Sequence, residues 1–100
     1  MHGLMQEHGP CIIEDFDTKV QTNPYPWNKN ATILYLDNPA GVGYSINEVP
    51  EDYIFTDHSS SVDTFVALRD FYESWPEFMS NNLYITGESY GGIYAPFLAL

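Results

Sequence analysis

A chain of 100 residues is long enough for one small domain, and 44% hydrophobic with 16% aromatic residues is a globular rather than a disordered composition. Three Lys plus Arg against fourteen Asp plus Glu give a formal net charge of −11, which excludes a polyphosphate partner such as nucleic acid. No stretch reaches the roughly 18 consecutive apolar residues of a membrane helix, so no membrane partner is expected.

The first thirty residues are rich in turn formers. "MHGLMQEHGPC" has no basic segment leading into an apolar one, so it does not read as a signal peptide. Cys11 is alone and can form no disulfide within the chain. "CII" and "TKVQT" suit two short strands of a hairpin, and "TNPYPWNKN" reads as loop. "ATILYLD", Ala31 to Asp37, follows. Ile33 and Tyr35 lie on one parity and Leu34 and Leu36 on the other, the pattern of a strand buried on both faces. It runs into "DNPAGVGYS", where Pro39, Gly41 and Gly43 permit a tight exposed loop. From Thr56 to Trp75, Val62, Phe65, Leu68, Tyr72 and Trp75 recur at helical spacing, with Val66 beside them. Thr56, Asp57 and Ser59 to Ser61 are candidate N-caps, and Pro76 stops the pattern. Leu83 to Thr86 is a second strand, and "YGGIYAPFLAL" opens a second helix, with Pro96 tolerable in its first turns or at a kink. Strand alternating with helix predicts an α/β fold with a parallel sheet. Two strands are too few for a stable sheet, and the chain stops inside an apolar run. Residues 1–100 are therefore expected to be part of a larger domain, truncated at both ends.

Between the second strand and the second helix stands Gly87-Glu88-Ser89-Tyr90-Gly91, a G-x-S-x-G sequence. A nucleophilic serine has to project from a strained strand-to-helix turn, and very small residues two positions away on each side avoid a clash there. Ser89 is the candidate nucleophile, Gly87 and Gly91 the turn glycines, and the N–H of Tyr90 a candidate oxyanion donor. Composition alone would produce the bare pattern in roughly 3% of such chains, so its weight comes from the strand before it and the helix after it.

Three further motifs precede it in order, "NPYPWN" (Asn23–Asn28), "LDNPAGVGYS" (Leu36–Ser45) and "WPEF" (Trp75–Phe78), and the serine turn itself reads "GESYGG" (Gly87–Gly92). Together they resemble the serine carboxypeptidases, an acid-active branch of the α/β-hydrolase fold, over nearly the whole chain from Gly3. The resemblance implies a strand, helix, strand, nucleophile elbow and helix of that fold. It implies a serine-type peptidase that needs no cofactor and no metal, acting on the C-termini of peptides or proteins through an acyl-enzyme. It also implies that Glu88 and Glu7 help to recognise the terminal carboxylate, which a protonated Glu88 can do as a hydrogen-bond donor. Family members carry W-x-N-G-G-P-G-C-S-S upstream and a catalytic Asp and His far downstream, and none of these is in this chain. His2, His8 and His58 all precede Ser89, against the Ser…Asp…His order of the fold. The fragment alone is thus expected to be inactive. An acyltransferase or esterase on the same scaffold, or a non-catalytic truncated chain, are the alternatives.

The remaining residues carry less. Tyr25, Trp27, Tyr44 and Phe55 suit packing or pocket walls, and the acidic residues between Glu48 and Asp63 suit a solvated face. His58 reads as a surface residue near a helix start. Asn30-Ala31-Thr32 is an N-glycosylation sequon, meaningful in a full-length protein of the secretory pathway, lysosome, vacuole or extracellular space. Nothing in the sequence fixes an oligomeric state.

Overall fold

The computed structural model describes residues 2–13, 19–49 and 54–100. Thr18 of the expected hairpin, and Glu51 and Asp52 of the acidic stretch, lie outside them. The chain divides into two compact units, Met1–Leu36 and Asp37–Leu100.

The first unit is built on a polar residue. Asn23 is buried, with 4% of its surface exposed. Its side-chain amide donates to the carbonyls of Glu7 (3.0 Å) and Gly9 (2.8 Å), and its side-chain carbonyl accepts from the Tyr25 N–H (2.9 Å). Its own N–H donates to the Pro10 carbonyl at 3.0 Å. Every hydrogen-bonding group of the amide is thereby used, as burial demands. The Asx turn at Tyr25 and the extended Pro26 lead into a single 3-10 turn, Trp27–Lys29. Lys29 then closes back on the Pro24 carbonyl. On the other side lie a π-helical turn, Gly3–Glu7, and the expected hairpin, β1 (Cys11–Ile13) with β2 (Val20–Thr22). The two strands are antiparallel, with Cys11 opposite Thr22 and Ile13 opposite Val20.

The expected strand at Ala31–Asp37 is extended but enters no ladder. Among the described residues the sheet has β1 and β2 alone. Ile33 and Tyr35 are half-buried, whereas Leu34 and Leu36 are each 42% exposed. A strand reads as apolar on both parities when layers cover both faces, and here one face is bare.

The second unit opens with the Asp37–Ser45 loop. Gly43 has φ +57°, and a Cβ there would collide with the Asp37 carboxylate. The same carboxylate accepts from the Tyr44 N–H at 3.0 Å, and the Ser45 hydroxyl donates to the Asp37 carbonyl. Glycine is therefore required at position 43 both for backbone conformation and for space.

Helix α1 spans Asp57–Ser74. Of the candidate caps Thr56 is the one used: its Oγ1 accepts from the Ser59 N–H at 3.0 Å while the Ser59 hydroxyl accepts from the Thr56 N–H at 2.9 Å. The helix ends before Pro76, as expected, and Pro76–Ser80 forms a 3-10 turn. Phe71 packs against Tyr72, Trp75 and Phe78 around this corner. Leu83 to Thr86 is again extended without a ladder, and α2 follows at Gly91–Ala99. Pro96 is the sixth residue of α2, past the first turn, and it leaves the Gly92 carbonyl without its intrahelical donor. Helices α1 and α2 pack together.

The apolar stripe expected on α1 does not become a core. Leu68 and Tyr72 are half-buried, but Val62, Phe65, Val66 and Trp75 are exposed, and the one fully buried helix residue is Ser60. Phe65, Leu68, Tyr72, Met79 and Leu83 line an open apolar groove of about 400 Å³. Among the described residues no hydrophobic side chain is buried. Apolar burial is the main source of cooperative stability, so the isolated hundred residues are expected to melt gradually rather than in one sharp transition. Calorimetry on the purified chain checks this; a single sharp endotherm with matching van't Hoff and calorimetric enthalpies would refute it.

Candidate active site

The site is a backbone feature first. Ser89 has φ +56° and is the one non-glycine residue with positive φ among those described. An L-residue pays steric energy in this left-handed region and stays there only when its surroundings dictate it. Here the chain reverses within one residue. The Glu88 carbonyl accepts from the Gly91 N–H (2.9 Å) and the Ser89 carbonyl from the Gly92 N–H (3.0 Å), so the turn passes directly into α2. The reversal brings Gly87 against Gly91, and a Cβ on Gly87 would collide with the Gly91 carbonyl. The expected clash at Gly91 does not occur within this chain, because a Cβ there would meet open space. Gly91 is crowded through its backbone, and Gly87 through its missing side chain.

Ser89 is exposed at the tip of this turn, and among the described residues its hydroxyl has no hydrogen-bond partner. Tyr90 caps α2 with helical dihedrals, φ −64° and ψ −19°. Its carbonyl accepts from Ile93 and Tyr94, while its N–H has no acceptor among the described residues. An unpaired N–H at a helix start, one residue beyond a serine, is a ready donor for a developing oxyanion. The Tyr90 hydroxyl donates to Asp57 Oδ1 at 2.7 Å, and its ring stands edge-on to Tyr94 with centroids 4.9 Å apart. The Asp57 hydrogen bond, then its negative charge, holds the Tyr90 phenol above its ordinary pKa.

Glu88 is exposed beside Ser89 in the second unit. Glu7 ends the π-helical turn of the first unit, between two histidines: Oε1 is 3.4 Å from His2 Nδ1 and Oε2 is 3.9 Å from His8 Nε2. His8 is itself fixed. Its ring stacks on Trp27 and Tyr35, with centroids 4.5 and 5.5 Å away, and its Nδ1 lies 3.0 Å from the Tyr35 hydroxyl. Burial raises the Tyr35 phenol pKa.

Of the aromatic residues expected in packing or pocket walls, Trp27 stacks on His8 yet is 56% exposed, and Tyr25 and Tyr44 stand in solvent, 83% and 79% exposed. Asn30, the sequon asparagine, is exposed after the 3-10 turn. His58 sits on the surface in the first turn of α1. Among the described residues no group of three His, Cys, Asp or Glu could hold a metal. Sequence reasoning missed three contributors: Asn23, the stacked His8, and Asp57 as partner of Tyr90. The Asn-Pro-Tyr-Pro turn could have flagged Asn23. A contact spanning 33 residues leaves no local mark.

The chain matches known proteins along its entire length. The family model described as serine carboxypeptidase covers residues 1–100. The "Lysosomal protective protein" of Mus musculus is 42% identical over 100 residues, covering 100% of this chain and 21% of that protein. "Serine carboxypeptidase 1" of Hordeum vulgare is 41% identical over 102 residues, 97% of this chain and 20% of that protein. "Venom serine carboxypeptidase" of Apis mellifera is 42% identical over 96 residues, 96% of this chain and 20% of that protein. The chain thus spans about a fifth of the length of these relatives. Matched from end to end, it belongs to the serine carboxypeptidase family.

Proposed function

We propose that these residues form the nucleophile-bearing part of an α/β-hydrolase domain that removes C-terminal amino acids from peptides. The observation that carries the reading is Ser89 held at φ +56° between Gly87 and the start of α2, beside the unpaired Tyr90 N–H. In the proposed reaction Ser89 Oγ bonds to the scissile carbonyl carbon as its proton passes to a base. The Tyr90 N–H takes the developing oxyanion. The C–N bond then breaks as the base returns the proton to the departing amine, and water hydrolyses the Ser89 ester. In this reading the base and the acid that orients it lie outside residues 1–100, since no His or Asp among these residues follows Ser89. The hundred residues alone are accordingly inactive in this reading.

Glu88 and Glu7 are assigned to the substrate's terminal carboxylate. A protonated carboxyl donates a hydrogen bond to an anion, whereas a deprotonated one repels it. The relatives named for the lysosome and for venom support a lysosomal or secreted location for the full-length enzyme, where Asn30 would meet the glycosylation machinery.

Two experiments on the full-length enzyme test the reading. A phosphonofluoridate should label Ser89 alone, and Ser89→Ala should lower kcat by about 10⁴-fold or more; an active Ser89→Ala enzyme would sink the nucleophile assignment. For Glu88, KM toward a free-acid peptide should rise with pH as the carboxyl loses its proton. Glu88→Gln keeps a permanent donor and should flatten that rise, while a C-terminally amidated peptide should show little dependence in either enzyme. If the Gln variant retains the full wild-type slope, Glu88 does not hold the carboxylate.

A further inference from the structure

The bond between Tyr90 and Asp57 joins the residue after the nucleophile to the first residue of a different helix, 33 positions earlier. We infer that Asp57 is a positioning residue for the oxyanion site: by holding the Tyr90 side chain it holds the Tyr90 peptide N–H. The inference rests on the reading of Ser89 as nucleophile and adds a residue that the G-x-S-x-G motif does not contain.

Strain at Ser89 makes such an anchor necessary. A left-handed serine relaxes unless both flanks of the turn are fixed. On the N-terminal flank the fixing is steric, through the approach of Gly87 to Gly91. On the C-terminal flank α2 begins with two glycines, Gly91 and Gly92, whose absent side chains would have met open space. Glycines at a helix start resist unwinding poorly. Tyr90 has no side-chain cap bond to its own helix; beyond its carbonyl, which accepts from Ile93 and Tyr94, its hold on the structure comes from its phenol and ring. The phenol reaches Asp57, and the ring rests on Tyr94 one turn along α2.

Asp57 is suited to the role. The reciprocal Thr56–Ser59 cap fixes the first turn of α1, so the carboxylate stands on a rigid element. A carboxylate is also a stronger acceptor for the phenol than a neutral oxygen would be. Asp57 and Tyr94 are the titratable groups facing the phenol. Its raised pKa agrees with the geometry: the folded protein holds the phenolic proton beyond the ordinary pKa, so the bond is intact below it and is lost as pH climbs through the raised value.

The test uses the full-length enzyme, with kcat expressed per site titrated by phosphonofluoridate so that misfolded protein is not counted. Tyr90→Phe and Asp57→Ala should each lower kcat by about five- to tenfold, the effect of losing one hydrogen bond to a charged group. The double variant should fall no further than either single, because both remove the same bond. Asp57→Asn still accepts through Oδ1 and should stay within about twofold of wild type. With tyrosine labelled at Cζ for NMR, Tyr90 should titrate at lower pH in Asp57→Asn than in wild type. Multiplicative losses in the double variant, an Asn variant as poor as the Ala variant, or an unshifted Tyr90 titration would each overturn the role. Should Asp57→Ala fail to fold, an unchanged kcat in Tyr90→Phe overturns it instead. Activity in Ser89→Ala strikes the underlying functional reading, and so is told apart from these outcomes.

Discussion

The second unit depends on one costly residue. Ser89 sits where an L-amino acid is sterically disfavoured, and the neighbouring structure answers that constraint. Gly87 lacks a side chain because the reversal presses it against Gly91. The carbonyls of Glu88 and Ser89 are taken by Gly91 and Gly92, so the turn and the first turn of α2 are one hydrogen-bonded object. Tyr90 reaches to α1, and α1 is itself locked at that end by Thr56 and Ser59. Strain in one residue is distributed over three contacts that differ in kind: steric exclusion, backbone pairing and a side-chain bond to a charge.

The first unit solves its own problem with a polar residue rather than an apolar core. Asn23 ties the carbonyls of Glu7, Gly9 and, through its backbone, Pro10 to the Tyr25 turn. A fully satisfied buried amide specifies geometry because each unmade bond costs more than a made one gains. The arrangement carries Trp27 onto His8, and the Trp27 N–H onto the His8 carbonyl at 2.9 Å. Glu7 emerges from this ordered segment, so its carboxylate has a defined origin although 42% of its side chain is exposed. In both units an irregular stretch is ordered by specific hydrogen bonds at positions that composition alone would mark as loop.

Local chemistry was legible in the sequence, and packing was not. The N-cap of α1, the stop at Pro76, the short hairpin, the glycine loop around Gly43 and the strained Ser89 all follow from backbone rules acting over a few residues. The two expected sheet strands failed as ladders because a ladder needs neighbours, and apolar periodicity reports only that a segment wants cover. The α1 stripe shows the same limit. Phe65 on the expected apolar stripe and Val66 beside it stand exposed, while Ser60, which no hydrophobic pattern selects, is buried. Asp57 read as one of several candidate caps. Thr56 takes the cap instead, and because the partner of Asp57 lies far along the chain, only folding could reveal its bond to Tyr90.

The charge balance constrains how a site of this kind could recognise an anion. Of the three described Lys and Arg residues, Lys29 bonds the Pro24 carbonyl, Arg69 pairs with Asp70 and Glu73, and Lys19 is not free either. A chain of net charge −11 offers a substrate carboxylate repulsion at every ionised Asp and Glu. Within these residues, recognition would then have to come from neutral donors, a peptide N–H or a protonated carboxyl. Such a donor discriminates by proton occupancy, which a lysine or arginine does not over the same pH range. A carboxyl in this role loses its function and acquires a repulsive one in a single deprotonation, so binding should fall further with pH than the loss of one hydrogen bond alone would give.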